Sequence, residues 1–218
     1  MTQTLQFINI PPQTNQPPKG LIVILHGWGA NAEDVAHLLP FVRLPEYQFI
    51  FPNAPYPYPY SAIGRAWYDL QTENLYKGLS ESRQQLIDWL KSLETSTGVP
   101  LSRTILSGFS QGGAMTLDVG VTLPLAGLIS MSGYLHPIAM KDETKNDSSL
   151  KISTDTDLPP VLIMHGRQDT VVPLQAAVIA RQTLESSGFS VEYHEFDMGH
   201  EIRPEMLELL RNFIVANT

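Results

Sequence analysis

Five consecutive apolar residues, Leu21-Ile22-Val23-Ile24-Leu25, predict a strand buried on both faces. Further strand candidates at 47–51, 104–107, 126–130, 161–165 and 191–196 repeat the signal along the chain. The stretches between them carry a helical period instead. Asn31, with Asp34 three residues on, reads as an N-cap opening a helix that reaches Leu38 and Leu39. Residues 80–96 place Leu86, Ile87, Leu90 and Leu93 on one face, and Gly98 and Pro100 end that helix. Further helices are predicted over 174–187, stopped at Gly188, and over 204–215.

Strand and helix in strict alternation predict an α/β fold, a mostly parallel central sheet with helices on both faces and right-handed crossovers. A length of 218 residues suits one domain spanning 1–218. In such sheets ligands bind beyond the carboxyl ends of the strands, so the residue just after each apolar run is the one to inspect. Two stretches break the rhythm. The proline–tyrosine run at 52–60 reads as an extended loop, and 141–160 reads as a polar surface segment.

Composition narrows the chemistry. Lys and Arg number 14 against 22 Asp and Glu, a formal charge of −8 that repels nucleic acid and anionic membrane surfaces. The absence of cysteine excludes disulfides, thiolate metal sites and a cysteine nucleophile. No run approaches the ~20 apolar residues of a membrane span, so no integral membrane association is expected. With no signal-peptide pattern at the start, the expected setting is the cytoplasm. There is no His-Glu-x-x-His helix, and no metal is expected.

Gly108-Phe109-Ser110-Gln111-Gly112 lies between the strand signal at 104–107 and a helical stretch at 114–121. Gly-x-Ser-x-Gly in that context is a strand-to-helix elbow, which exposes a serine hydroxyl on a strained turn. The order in such folds is nucleophile, acid, histidine. Asp169 follows the strand at 161–165 and is the expected acid. Of six histidines, His26 and His165 each end a strand before glycine and suit backbone bracing. His37 falls in a helix, His136 too early, and His194 inside a strand. His200, after the last strand, is the expected base.

A tetrahedral intermediate needs fixed donors for its oxyanion. The Gln111 N–H, next to the nucleophile, supplies one; the Trp28 N–H, in His26-Gly27-Trp28-Gly29, is the expected second. The Trp28 side chain is also an expected substrate contact, together with Trp67, in an aromatic mouth with Tyr56, Tyr58, Tyr60 and Tyr68. Asp118, in the helix after the nucleophile, is left with two roles, reaching solvent at the rim or pairing with a base.

With these residues in place the sequence resembles the phospholipase/carboxylesterase family, which includes bacterial carboxylesterases and acyl-protein thioesterases of the α/β-hydrolase fold. The likeness rests on 25–31, 108–113, Ser130-Met131-Ser132-Gly133-Tyr134, His165-Gly166-Arg167-Gln168-Asp169 with Val172-Pro173, and Gly199-His200, in family order. It implies cofactor-free hydrolysis of an acyl ester or thioester by Ser110, Asp169 and His200, with oxyanion donors at Trp28 and Gln111. Trp28 stands where the thioesterases usually carry leucine. The expected function is a carboxylesterase for small acyl esters. The alternatives are a lysophospholipase or acyl-protein thioesterase with the same mechanism, and a catalytically inactive hydrolase fold that binds.

Overall fold

The computed structural model describes residues 5–136 and 158–218, so the predicted polar segment lies, as far as residue 157, outside the described residues. The chain runs β1 (Phe7–Ile10), β2 (Leu21–Leu25), α1 (Ala32–Ala36), α2 (Leu39–Val42), β3 (Gln48–Pro52), β4 (Tyr56–Pro57) and β5 (Arg65–Ala66). It continues through α3 (Leu79–Thr97), β6 (Thr104–Phe109), α4 (Gln111–Gly120) and β7 (Gly127–Met131). The last elements are β8 (Val161–Gly166), α5 (Leu174–Ser186), β9 (Val191–Phe196) and α6 (Pro204–Asn217).

Seven strands form one sheet in the order β1-β3-β2-β6-β7-β8-β9, parallel except at the β1–β3 edge. Alternation along β2 divides the core. Leu21, Val23 and Leu25 pack on one face with Leu86, Leu90, Met115, Leu117 and Leu184 of α3, α4 and α5. Ile22 and Ile24 pack on the other with Val35, Leu210 and Phe213 of α1 and α6. From β2 the chain steps outward to β3, then crosses back past β2 to β6. In such sheets the point beyond the carboxyl ends of the strands where the order reverses, here β2 and β6, is where ligands bind.

Three expectations change. A strand at Phe7–Ile10 adds an antiparallel edge that breaks the strict alternation. It lacks a long apolar run because Phe7 and Asn9 face outward at the edge. The helix opened by Asn31 ends at Ala36, and a second turn begins at Leu39. Pro40 has no N–H to give the Ala36 carbonyl, which sits four residues back, and its ring would crowd that carbonyl. The proline–tyrosine stretch is not simply extended: Tyr56–Pro57 pairs with Arg65–Ala66 as a small antiparallel hairpin. The capping box of Asn31 and Asp34 forms as expected, with Asn31 Oδ1 accepting from Glu33 and Asp34 N–H groups at 2.8 and 3.2 Å.

His26 ties the end of β2 to its neighbour. Its Nδ1 donates to the Gly27 carbonyl at 2.8 Å, and its Nε2 accepts the Ala54 N–H at 3.0 Å. Both bonds need the neutral ring, and burial pushes its pKa from 6.5 down to about 4. The unfolded chain therefore binds this proton near pH 6.5 and the folded chain only near pH 4. Stability falls as pH drops through that window, by roughly 3 kcal/mol in all. Urea unfolding at pH 7 and pH 4 is expected to show this loss. His26→Asn is expected to start less stable at pH 7 but to lose less on acidification; equal pH slopes for the two proteins would rule this group out.

Candidate active site

Ser110 sits between β6 and α4 with φ 55° and ψ −117°. A non-glycine residue held there stores about 1–3 kcal/mol of strain, so the surroundings must impose it. They do so by close approach. A Cβ on Gly108 would lie 2.3 Å from the Gly112 carbonyl carbon, and one on Gly112 would lie 2.4 Å from the Leu25 carbonyl oxygen. Ser110 N–H donates to Met131 O at 2.8 Å, which fixes the turn to β7. The hydroxyl makes no capping bond to α4.

Asp169 follows β8 with its side chain fully buried. Its Oδ1 accepts the N–H groups of Val171 and Val172 at 2.9 and 2.8 Å, and its Oδ2 accepts His200 Nδ1 at 2.7 Å. Burial alone would raise the carboxyl pKa. The bond to His200, together with the two N–H groups, outweighs it and holds the pKa below the usual carboxylate range. His165 braces this turn, as expected for it, with Nε2 donating to the Val172 carbonyl at 2.8 Å. The loops bearing Asp169 and His200 are laced by Arg167 N–H to Phe196 O and Gln168 N–H to Met198 O, at 2.8 and 3.0 Å. The His200 ring lies 4.8 Å, centroid to centroid, from Phe109, the residue before Ser110. The aspartate–histidine pair thus stands beside the strained serine.

The loop after β2 borders the same point, since a Cβ on Gly27 would lie 3.4 Å from Ser110 Cβ. Among the described residues neither the Trp28 nor the Gln111 N–H is taken by a backbone carbonyl. The hairpin holds this loop in place through Gly29 N–H to Arg65 O and Arg65 N–H to Ala30 O, at 2.9 and 2.8 Å. The Trp28 indole meets Tyr58 edge-on at 4.9 Å, and Tyr58 meets Tyr60 at 5.3 Å.

Trp67 corrects an expectation. It is wholly buried, with its indole N–H on the His26 carbonyl at 3.1 Å, and offers no surface to a substrate. Tyr68 is equally buried and so lies behind the mouth. What holds them is a group the sequence reading used only for its backbone. The Gln111 side chain accepts the Trp67 N–H through Oε1 and donates to the Tyr68 carbonyl through Nε2, both at 2.9 Å. Only that amide orientation satisfies both partners. The available signal was a long amide opening a helix whose next residues, Gly-Gly-Ala-Met, are all suited to burial. Asp118 resolves toward pairing, accepting two bonds from Arg83 at 2.8 Å.

The profile of a family described as Phospholipase/Carboxylesterase matches residues 10–218. Acyl-protein thioesterase 1 of Saccharomyces cerevisiae is 28% identical over 220 residues, covering 91% of this chain and 93% of that protein. Its namesake in Neurospora crassa is 30% identical over 206 residues, covering 87% of this chain and 80% of that protein. The crystal structure of esterase PE8 matches at a TM-score of 0.85 and 30% identity, covering 99% of this chain and 100% of that one. Among the described residues no helix is long and apolar enough to cross a membrane.

Replacing Gln111 by methionine keeps the volume but strands the Trp67 N–H and the Tyr68 carbonyl. Each orphaned buried group costs about 1–3 kcal/mol. Thermal and urea unfolding are expected to show a loss of that size; an unchanged midpoint would mean that both groups find other partners.

Proposed function

The chain belongs to the phospholipase/carboxylesterase family, and we propose that it hydrolyses small acyl esters with Ser110, His200 and Asp169 as its triad. The carrying observation is the 2.7 Å bond from His200 Nδ1 to a buried, low-pKa Asp169, beside a serine in left-handed geometry. With Nδ1 committed to Asp169, the proton-accepting nitrogen of His200 is Nε2. Asp169 fixes that tautomer and stabilises the imidazolium that forms, without itself being protonated.

In this reading Ser110 Oγ attacks the acyl carbon while His200 Nε2 takes its proton; the contact between them tightens when substrate binds. The carbonyl electron pair moves to oxygen, where the Trp28 and Gln111 N–H groups receive it. Loss of one such donor typically costs ~3 kcal/mol of transition-state stabilisation. The imidazolium then protonates the departing alkoxide or thiolate, leaving an acyl-serine. Water, deprotonated by His200, attacks that ester; the acid leaves and Ser110 recovers its proton. No cofactor enters these steps.

The Trp28–Tyr58–Tyr60 ladder against the oxyanion loop supports compact acyl groups, because it places rigid rings beside the reacting carbonyl. The thioesterase reading uses the same steps, and the names of the fungal relatives support it. Hydrolysis of nitrophenyl esters and acyl thioesters graded by chain length separates the two. The small-ester reading expects no gain beyond about eight carbons; a steep rise with longer chains, or a strong thioester preference, selects the alternative.

Ser110→Ala is expected to lower kcat by about 10⁶-fold, and Asp169→Asn by about 10⁴-fold, with folding retained. Stoichiometric fluorophosphonate labelling of wild type and none of Ser110→Ala is the matching covalent test. A wild-type protein that neither labels nor turns over would favour an inactive binding protein.

A further inference from the structure

Behind the site a chain of polar groups runs through apolar packing. Arg83 of α3 donates through Nε and Nη2 to the two oxygens of Asp118 on α4, each at 2.8 Å. The same carboxylate lies 3.4 Å from His136 Nδ1. His136 Nε2 meets the Tyr68 hydroxyl at 2.8 Å, and that hydroxyl meets Tyr134 OH at 2.6 Å. His136 and Tyr68 are fully buried and Asp118 is 4% exposed.

The chain is charged at one end and carries two protonated phenols at the other. Burial raises the Asp118 pKa, but His136 and Arg83 together outweigh it and keep the group an anion. Burial raises both phenols, Tyr134 to about 12, so both keep their protons. His136 turns Nδ1 toward the Asp118 carboxylate and Nε2 toward the Tyr68 hydroxyl. Tyr76, held at φ 66°, closes the cluster with its ring 5.7 Å from that of Tyr68 and 5.6 Å from that of His136.

Such a cluster is a poor device for stability, since apolar residues of the same volume generally do as well or better. What it supplies is a single position for Tyr68. The backbone of that residue is the one the Gln111 amide grips, and Ser82 Oγ donates to the adjoining Trp67 carbonyl. The 67–68 backbone is therefore fixed from behind by its phenol and from in front by Gln111. Gln111 carries a backbone N–H at the first position of α4, directly after the strained serine.

We propose that Tyr68, backed by His136, Asp118 and Arg83, is a positioning residue for the oxyanion hole, acting through the 67–68 backbone and the Gln111 side chain. This rests on the catalytic reading of Ser110 and Gln111 above. The transition state demands donor placement far stricter than the ground state does, and a displacement of about 1 Å can cost 10²-fold in rate. Loosening the strut should therefore act on kcat and leave KM nearly unchanged.

The test is a double-mutant cycle of Tyr68→Phe and Gln111→Met, read with a short nitrophenyl ester and with a phenylboronic acid, which forms a tetrahedral adduct on the serine. Tyr68→Phe is expected to lower kcat and boronate affinity together by about tenfold, with KM within twofold. In the Gln111→Met background the same change is expected to add little, because the link is already cut. Additive effects, or a lowered melting temperature with unchanged boronate affinity, would falsify the proposal. Should Tyr68→Phe not fold, His136→Phe removes the two ring nitrogens at similar size and is held to the same readouts. An additive cycle in a protein whose Ser110→Ala form is inactive overturns this inference alone; activity that survives Ser110→Ala overturns the catalytic reading beneath it.

Discussion

Everything at the site depends on one steric constraint, the left-handed turn at Ser110. Serine does not choose φ 55° by itself. The turn is imposed because α4 docks with all ten of its residues buried, against β6, β7 and β2. Gly108 and Gly112 permit that approach where any side chain would meet backbone at under 2.5 Å. Burial of apolar residues such as Met115 and Leu117, worth about 1.5–3 kcal/mol each, offsets a strain of similar size. The geometry of Ser110 is thus a property of helix-on-sheet packing rather than of its local sequence alone.

Histidines at the carboxyl edge show how position decides chemistry. His26 and His165 are buried and spend ring nitrogens on backbone groups of neighbouring loops. Among the described residues His200 engages Asp169 through Nδ1, and its side chain keeps 16% of its surface. A partly exposed imidazole with Nδ1 held by a carboxylate suits proton transfer, whereas a fully buried one bonded to backbone suits bracing. The Asp169 turn belongs to the same scheme: the Val171 and Val172 N–H groups and His200 hold its carboxylate in one place as an anion.

The hairpin and the segment behind it have separate duties although both are rich in aromatics. Tyr58 meets Trp28 edge-on and Tyr60 meets Tyr58 the same way, beside the loop after β2. Trp67 and Tyr68 are interior and shape the scaffold that holds Gln111. Their chemical similarity hides this division, since both types are large and carry one polar handle.

The sequence by itself determined the parallel α/β class, because fully buried strands need continuous apolar runs and amphipathic helices need a 3.6-residue period. Gly-x-Ser-x-Gly after a strand pointed to Ser110, and position after later strands singled out Asp169 and His200. The hydrogen bond between those two is long-range and only the fold makes it. The edge strand at Phe7–Ile10 was hidden because a half-exposed four-residue strand has little apolar signal. The burial of Trp67, the grip of Gln111 on 67–68, and the Arg83–Asp118–His136–Tyr68 chain were decided by tertiary structure. The Trp67–Gln111, Arg83–Asp118 and Tyr68–His136 bonds join residues at least 35 positions apart in the sequence, and local pattern carries information only about neighbours on one helix or strand.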